Sequence, residues 1–263
     1  MDWAMILAVV PGLIVLFYVY KKDKVEKEPG KLLVKLLIFG ALSVIPAIIF
    51  EVVGEAILDS PLTDGMNSLV LVAIDNFLII ALAEELCKYM FLKWGSWKHP
   101  AFDYRFDALV YAVCVGMGFA ITENIFYVIQ DGLAVAAFRA VTSIPGHACF
   151  AISMGIYYGE AKLMEKMGFH PGSKAFRRKA LWVPVLMHGF YDFSLSIDAW
   201  WMIAIFFIYI IATDIVIIRK IRKYSREDAP LDSDLEEEKE EAVKAVEVAE
   251  KAVTAAEKSN GAE

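Results

Sequence analysis

The sequence predicts an all-α, polytopic membrane protein of about seven transmembrane helices, with its N-terminus outside and its C-terminus in the cytoplasm. Three observations carry this expectation. Of the 263 residues, 58% are apolar and the mean hydropathy is +0.52, above the roughly 45–50% apolar content of ordinary globular domains. The apolar residues fall in runs near the ~20 residues a bilayer-spanning helix needs. Loop charges alternate: residues 21–31, 93–105, 159–179 and 219–226 are basic, whereas 59–66, 130–133 and 196–199 hold no Lys or Arg, as expected if the basic loops face the cytoplasm. The formal net charge of −7 reflects acids crowded near the C-terminus and is no guide to the apolar part.

The first run, Trp3 to Tyr20, has Pro11-Gly12 midway and is followed by Lys21, Lys22, Lys24 and Lys27. No basic residue precedes it and no small-x-small site follows, so a first transmembrane helix is expected rather than a removed leader. The second run spans about Leu32 to Leu58, with Pro46 inside it. Glu51 and Glu55 share a face near its far end, where a water-facing outer turn is expected rather than a further site. The third, about Asn67 to Leu92, carries Ala83-Glu84-Glu85-Leu86-Cys87-Lys88. The fourth, about Phe106 to Ile129, contains Gly116 and Gly118, small enough for close helix packing, then Thr122, Glu123 and Asn124. The fifth, about Leu133 to Tyr158, has Arg139 in its first turns and Pro145-Gly146-His147 near its middle, where a kink is expected. The sixth, about Leu181 to Ile197, holds Pro184, His188 and Asp192. The seventh, Trp200 to Ile218, contains Asp214, for which the sequence suggests no partner, and ends in a basic cluster. A membrane domain of residues 1–223 is thus expected, followed by an acidic, Ala/Glu/Lys-rich cytoplasmic tail, 224–263, partly helical or disordered. Cys87, Cys114 and Cys149 lie in apolar runs without a C-x-x-C pair, which predicts small core residues rather than disulfides or a thiolate zinc site.

Glu84 and Glu85 are costly where they stand. A charged residue at the centre of a membrane helix costs roughly 2.5–3.5 kcal/mol on insertion scales. At about 1.5 Å of rise per residue, Glu84, Glu85 and His188 come out at similar depth, ~12–14 Å from the basic boundary, with His147 slightly deeper and Glu123 deeper still. Spacing of i, i+4 puts Lys88 on the face of Glu84, and Asp192 on the face of His188, where it can orient the imidazole. Adjacent acids in a low dielectric cannot both ionise comfortably, which provides an acid and a base for water activation. Lys88 would hold one carboxylate ionised, and an imidazole would donate to the oxyanion of a tetrahedral intermediate. This set fits peptide-bond hydrolysis without a covalent nucleophile.

Glu84-Glu85-x-x-Lys88, Phe119-x-x-x-Glu123, His147 after Pro-Gly, and His188-x-x-x-Asp192 follow one another on successive runs. In this order they resemble the PrsW family of glutamic-type intramembrane proteases, related to the CAAX prenyl proteases, over roughly residues 1 to 220. The resemblance implies a multi-helix membrane core that cleaves membrane-anchored proteins, in bacteria an anti-sigma factor, and so an integral protein of a prokaryotic cell membrane with no nucleic-acid partner. It makes Glu84, Glu85, Glu123, His147 and His188 the catalytic set, supported by Lys88, Asn124 and Asp192. Glu84 is the expected base, with Glu85 either sharing that role or held by Lys88. Glu123 stands where CAAX proteases have His, and Asp192 where they have Asn; an ionised Asp192 would repel an oxyanion, so it is protonated or serves to orient His188.

Three other readings stay open. Glu84, Glu123, His147 and His188 are a possible nitrogen and oxygen ligand set for a divalent metal such as zinc, as a metal-dependent CAAX-type peptidase would use. No H-E-x-x-H is present and Lys88 stands where a di-iron Glu-x-x-His helix needs His, so no cofactor is the favoured expectation. Acids and histidines on broken helices would also suit a proton- or cation-coupled transporter. A non-catalytic scaffold is the third, against which the Glu84-Glu85 pair argues.

Overall fold

The computed structural model describes residues 3–232. The helices are α1 (Trp3–Lys22), α2 (Gly30–Leu58), α3 (Ser68–Ile74), a π-helical segment (Asp75–Ile80) running into α4 (Ala81–Ser96), α5 (Asp107–Val141), α6 (Ser143–Lys166), α7 (His170–Ser196) and α8 (Trp200–Tyr224). Among the described residues the one isolated β-bridge joins Tyr104 to Pro230. Among the described residues four helices, Trp3–Lys22, Gly30–Leu58, Asp107–Val141 and Trp200–Tyr224, are long and apolar enough to cross a membrane. The chain is an all-α integral membrane protein.

α5 is the hub, packed against α1, α2 and α6. Its residues from Asp107 to Ala120 are all buried, and small residues explain how. A Cβ at Gly118 would fall 2.1 Å from the carbonyl oxygen of Leu37, and one at Gly40 would fall 2.0 Å from that of Val115. The backbones of α2 and α5 therefore touch, as in small-residue packing of membrane helices. On the outside, α1, α2 and α8 expose bulky side chains such as Phe17, Ile45, Ile49, Ile208 and Ile211, an arrangement that suits hydrocarbon rather than water.

Four elements differ from expectation. The third run is not one regular helix: the π-helical turn at Asp75–Ile80 precedes Glu84 and Glu85 and resets the face they present. α5 passes beyond Ile129 to a kink at Gly132 (φ 77, ψ −160), a left-handed conformation open to glycine. Leu133–Val141 therefore continues α5, and α6 starts afresh at Ser143. Pro145 lies in the first turn of α6, where proline is tolerated, so no kink occurs mid-helix there. α7 begins at His170, well before Leu181, because its first turns are amphipathic and basic and carry no apolar run. Tyr224 closes α8, and the first tail residues fold back: Ala229 accepts a hydrogen bond from the Arg105 amide, the Leu231 amide donates to Asp103, and Leu231 is fully buried. The rest of the tail, 233–263, lies outside the described residues.

Candidate active site

Glu84 closes the first turn of α4 and Glu85 follows it, shortly after the π-helical segment. Lys88, one turn on, joins both: its Nζ donates to Glu84 Oε2 at 2.9 Å and to Glu85 Oε1 at 2.8 Å. The same ammonium lies 3.3 Å from His147 Nδ1 on α6 and 3.9 Å from the centre of the Phe119 ring on α5. All of these charged side chains are buried, and Glu85 has no exposed surface.

The two histidines close the set. His188 Nδ1 on α7 is 3.0 Å from Glu85 Oε1 and 3.8 Å from Glu84 Oε2, while its Nε2 is 3.1 Å from Asp192 Oδ2. Phe150 stacks on the His188 ring at 4.7 Å, and the rings of His147 and His188 are 5.2 Å apart. His147 Nε2 is 2.9 Å from Glu123 Oε2. An ammonium can only donate, so His147 Nδ1 is the acceptor and its Nε2–H donates to Glu123.

A cavity of about 880 Å³ opens beside this cluster. Glu84, Glu123, His147, His188 and Asp192 line it, whereas Glu85 does not. Each predicted site residue thus lies at or beside one cavity. Asn124 also contributes, from behind: its Oδ1 accepts from Arg139 Nε at 2.7 Å. The cavity extends toward Glu55, Asp131 and Ser196, at the end of the molecule where the loops lack Lys and Arg.

Two features escaped the sequence reading. Glu51 is not on a solvated outer turn: half-buried, it lines the cavity within electrostatic reach of Glu84 and Glu123, while Glu55, one turn on, is exposed as expected and stands where the cavity opens. Their i, i+4 spacing was the signal, but which way that face points depends on how α2 packs. Arg139 is the second. Beyond the Gly132 kink it turns back to place its guanidinium 2.8 Å from Glu123 Oε2 and 3.1 Å from Ser143 Oγ, over the Tyr127 ring at 3.8 Å. A lone Arg after Asp131-Gly132 was visible; its target was not. Asp214 also has a partner: the Cys149 thiol donates to its Oδ1 at 3.2 Å.

Among the described residues, the side chains that could hold a metal are Glu84, Glu85, His147 and His188, each offering one ligand atom within 4.8 Å of the others. Glu85 thus replaces Glu123 in the expected ligand set, because Glu123 stands beyond His147, tied to Arg139. As arranged, these donors do not fit a resident ion. Tetrahedral zinc, with bonds of about 2.0–2.2 Å, draws its donors to within ~3.5 Å of one another. Three of the four side chains are instead bound to Lys88 Nζ, which cannot ligate and whose charge repels a second cation.

Comparison with known proteins agrees with this architecture. The family model described as "PrsW family intramembrane metalloprotease" matches residues 28–218. A protein named "Protease PrsW" from Geobacillus kaustophilus is 34% identical over 199 residues, covering 73% of this chain and 80% of its own. One of the same name from Clostridioides difficile is 32% identical over 83% of this chain and 90% of its own. A third, from Bacillus subtilis, is 30% identical over 74% and 83%. No solved structure matches the chain.

Proposed function

We propose, from the premise that this chain belongs to the PrsW family of intramembrane proteases, that it hydrolyses a peptide bond in a membrane-anchored protein with water activated by Glu84 and without a metal. The single observation that supports this division of labour is that Glu84 faces the 880 Å³ cavity while Glu85 is sealed beneath it. Water can reach the first carboxylate and not the second.

In this reading an extended substrate segment enters the cavity with its scissile carbonyl between Glu84 and His188. Glu84 takes a proton from water as the water oxygen attacks the carbonyl carbon. The resulting oxyanion is met by the His188 imidazole and the nearby Lys88 charge, in a site already polarised before reaction. On collapse the C–N bond breaks and Glu84 returns its proton to the leaving amine, so protons balance over the cycle. Glu85, held by Lys88 and within hydrogen-bond distance of His188, supplies the negative charge that keeps the Lys88 ammonium in place. Glu123 orients His147, and Asp192 lies where it can orient His188.

Seven membrane crossings, counting α3 to α4 as one, with basic loops in the cytoplasm, would put the cavity mouth on the outer side of a bacterial cell membrane. The substrate would then be a single-pass regulator cut near its outer end, of the anti-sigma-factor kind. The test is cleavage of a labelled single-pass protein by purified enzyme in liposomes. Turnover in the wild type and none in Glu84→Gln supports the reading; equal turnover in both overturns it.

A further inference from the structure

A second cavity lies away from the carboxylates and shares no lining residue with them. It is a groove of about 390 Å³ between α1, α2 and α5, walled by apolar side chains that include Leu16 and Phe17 on α1, Val34 and Leu37 on α2 and Val113 on α5. From Tyr20 back to Leu13 it follows α1 for ~10 Å, about two thirds of the ~15 Å of hydrocarbon in one leaflet. Phe17 and Val34 are more than half exposed, so the groove faces sideways, toward lipid.

The charges at its mouth are sorted by sign. Between residues 21 and 35, Lys21, Lys24, Lys27, Lys31 and Lys35 are exposed. The acids of the same stretch turn inward: Asp23 and Glu28 are buried, and Glu28 accepts a hydrogen bond from the Tyr111 hydroxyl, leaving Glu26 as the exposed acid. Two ammonium groups stand at the rim itself, Lys21 at 4.7 Å from the Phe17 ring and Lys27 at 4.4 Å from the Tyr20 ring, both rings being part of the wall. Ordinary solvation of the loop asks only for polar residues; it does not ask that acids be buried and lysines gathered at the end of an apolar groove.

We propose that this groove holds one acyl chain of an anionic phospholipid whose phosphate is bound by Lys21, Lys27 and Lys31. Apolar walls reaching about two thirds of the way into one leaflet and ending in a basic rim are the complement of such a molecule, and each lysine near an anionic surface contributes about fivefold in affinity. A zwitterionic lipid would fill the walls equally well and gain nothing at the rim.

The test uses the full chain in nanodiscs of equal parts phosphatidylglycerol and phosphatidylcholine, with the lipid retained after delipidation counted by native mass spectrometry. The wild type should retain phosphatidylglycerol at least fivefold over phosphatidylcholine. Combined K21Q, K27Q and K31Q should abolish the preference, while the corresponding arginine variant should keep it. Val34→Trp, which fills the groove and spares the lysines, should lower retention of both lipids. Glycerol phosphate added in solution should not raise the melting temperature. Equal retention of the two lipids by the wild type, a preference surviving in the glutamine variant, retention unaffected by Val34→Trp, or protection by glycerol phosphate equal to that of the lipid would each overturn the proposal.

Discussion

Lys88 Nζ on α4 lies 3.3 Å from His147 Nδ1 on α6. The contact means that one ammonium organises both carboxylates of α4 and the tautomer of a histidine two helices further along the chain. Removing it leaves Glu84 and Glu85 as adjacent buried anions. Losing one partner of a buried ion pair costs about 3–5 kcal/mol, so Lys88→Met should lower the melting temperature in detergent sharply and stop cleavage. It should also free the four donors for a cation. Zinc ions should then raise the melting temperature of Lys88→Met and leave that of the wild type unchanged, and exhaustive chelation should leave wild-type cleavage intact. Chelator-sensitive cleavage by the wild type would contradict the metal-free reading.

The two glutamates should separate experimentally. Glu84 lines the cavity, so Glu84→Gln removes a base that solvent reaches and should cut turnover by ~10²–10⁴, the usual worth of a general base, with a smaller loss of melting temperature than Glu85→Gln, because water can solvate what the lost Lys88 pair leaves behind. Glu85 is enclosed and touches Lys88 and His188. Glu85→Gln should therefore cost stability by about 2 kcal/mol or more together with activity. A cleavage assay read beside thermal unfolding distinguishes them, and the opposite pattern would exchange their roles.

Arg139 should behave as a positioning residue. Its guanidinium spans Glu123, Asn124 and Ser143 from beyond the Gly132 kink. Arg139→Lys keeps the charge but not the fork that serves three acceptors at once. The expected outcome is a fall in kcat of about tenfold, on the order of 1.4 kcal/mol, with KM less affected. A change confined to KM would instead indicate substrate contact.

The helical runs and the grouping of the polar residues were legible because each depends on local pattern: apolar length, loop charge and spacing along one helix. Glu84, Glu85, His147 and His188 could be brought together on paper by counting from the basic boundaries. Facing could not be counted. Glu51 read as part of an outer turn because rotation of α2 about its axis is set by Gly40 meeting Val115, a contact 75 residues away in sequence. The six-residue π-helical segment before α4 was hidden for another reason: no composition cue in Asp75–Ile80 sets it apart from an α-helix. The distinction between Glu84 and Glu85 depends on that segment, since it changes which of two neighbours meets the cavity.

Outside the membrane helices, Asp23 gives the chain a predicted pH response. It is buried between α1 and α2, and that burial, with Asp228 and Glu26 nearby, outweighs the opposing Lys27 and the Glu28 amide to push its carboxyl up to about 6. An unfolded chain releases this proton near the ordinary aspartate value of 3.8. Between those two values the folded form holds a proton that the unfolded form has lost, so stability falls as pH rises through this window and stays lower above it. The ceiling is ~3 kcal/mol for about two units, and partial solvation of the loop reduces it. Asp23→Asn removes the titration, so the variant should be more stable than the wild type by about 1–2 kcal/mol at pH 7.5 and nearly equal to it at pH 4. Glu28, also raised by burial, contributes the same sign, so the variant should keep a shallower slope rather than none. Thermal unfolding of both proteins in one detergent at pH 4, 6 and 7.5 measures this. A variant less stable than the wild type at pH 7.5 would mean that ionised Asp23 holds the loop through Lys27 rather than straining it.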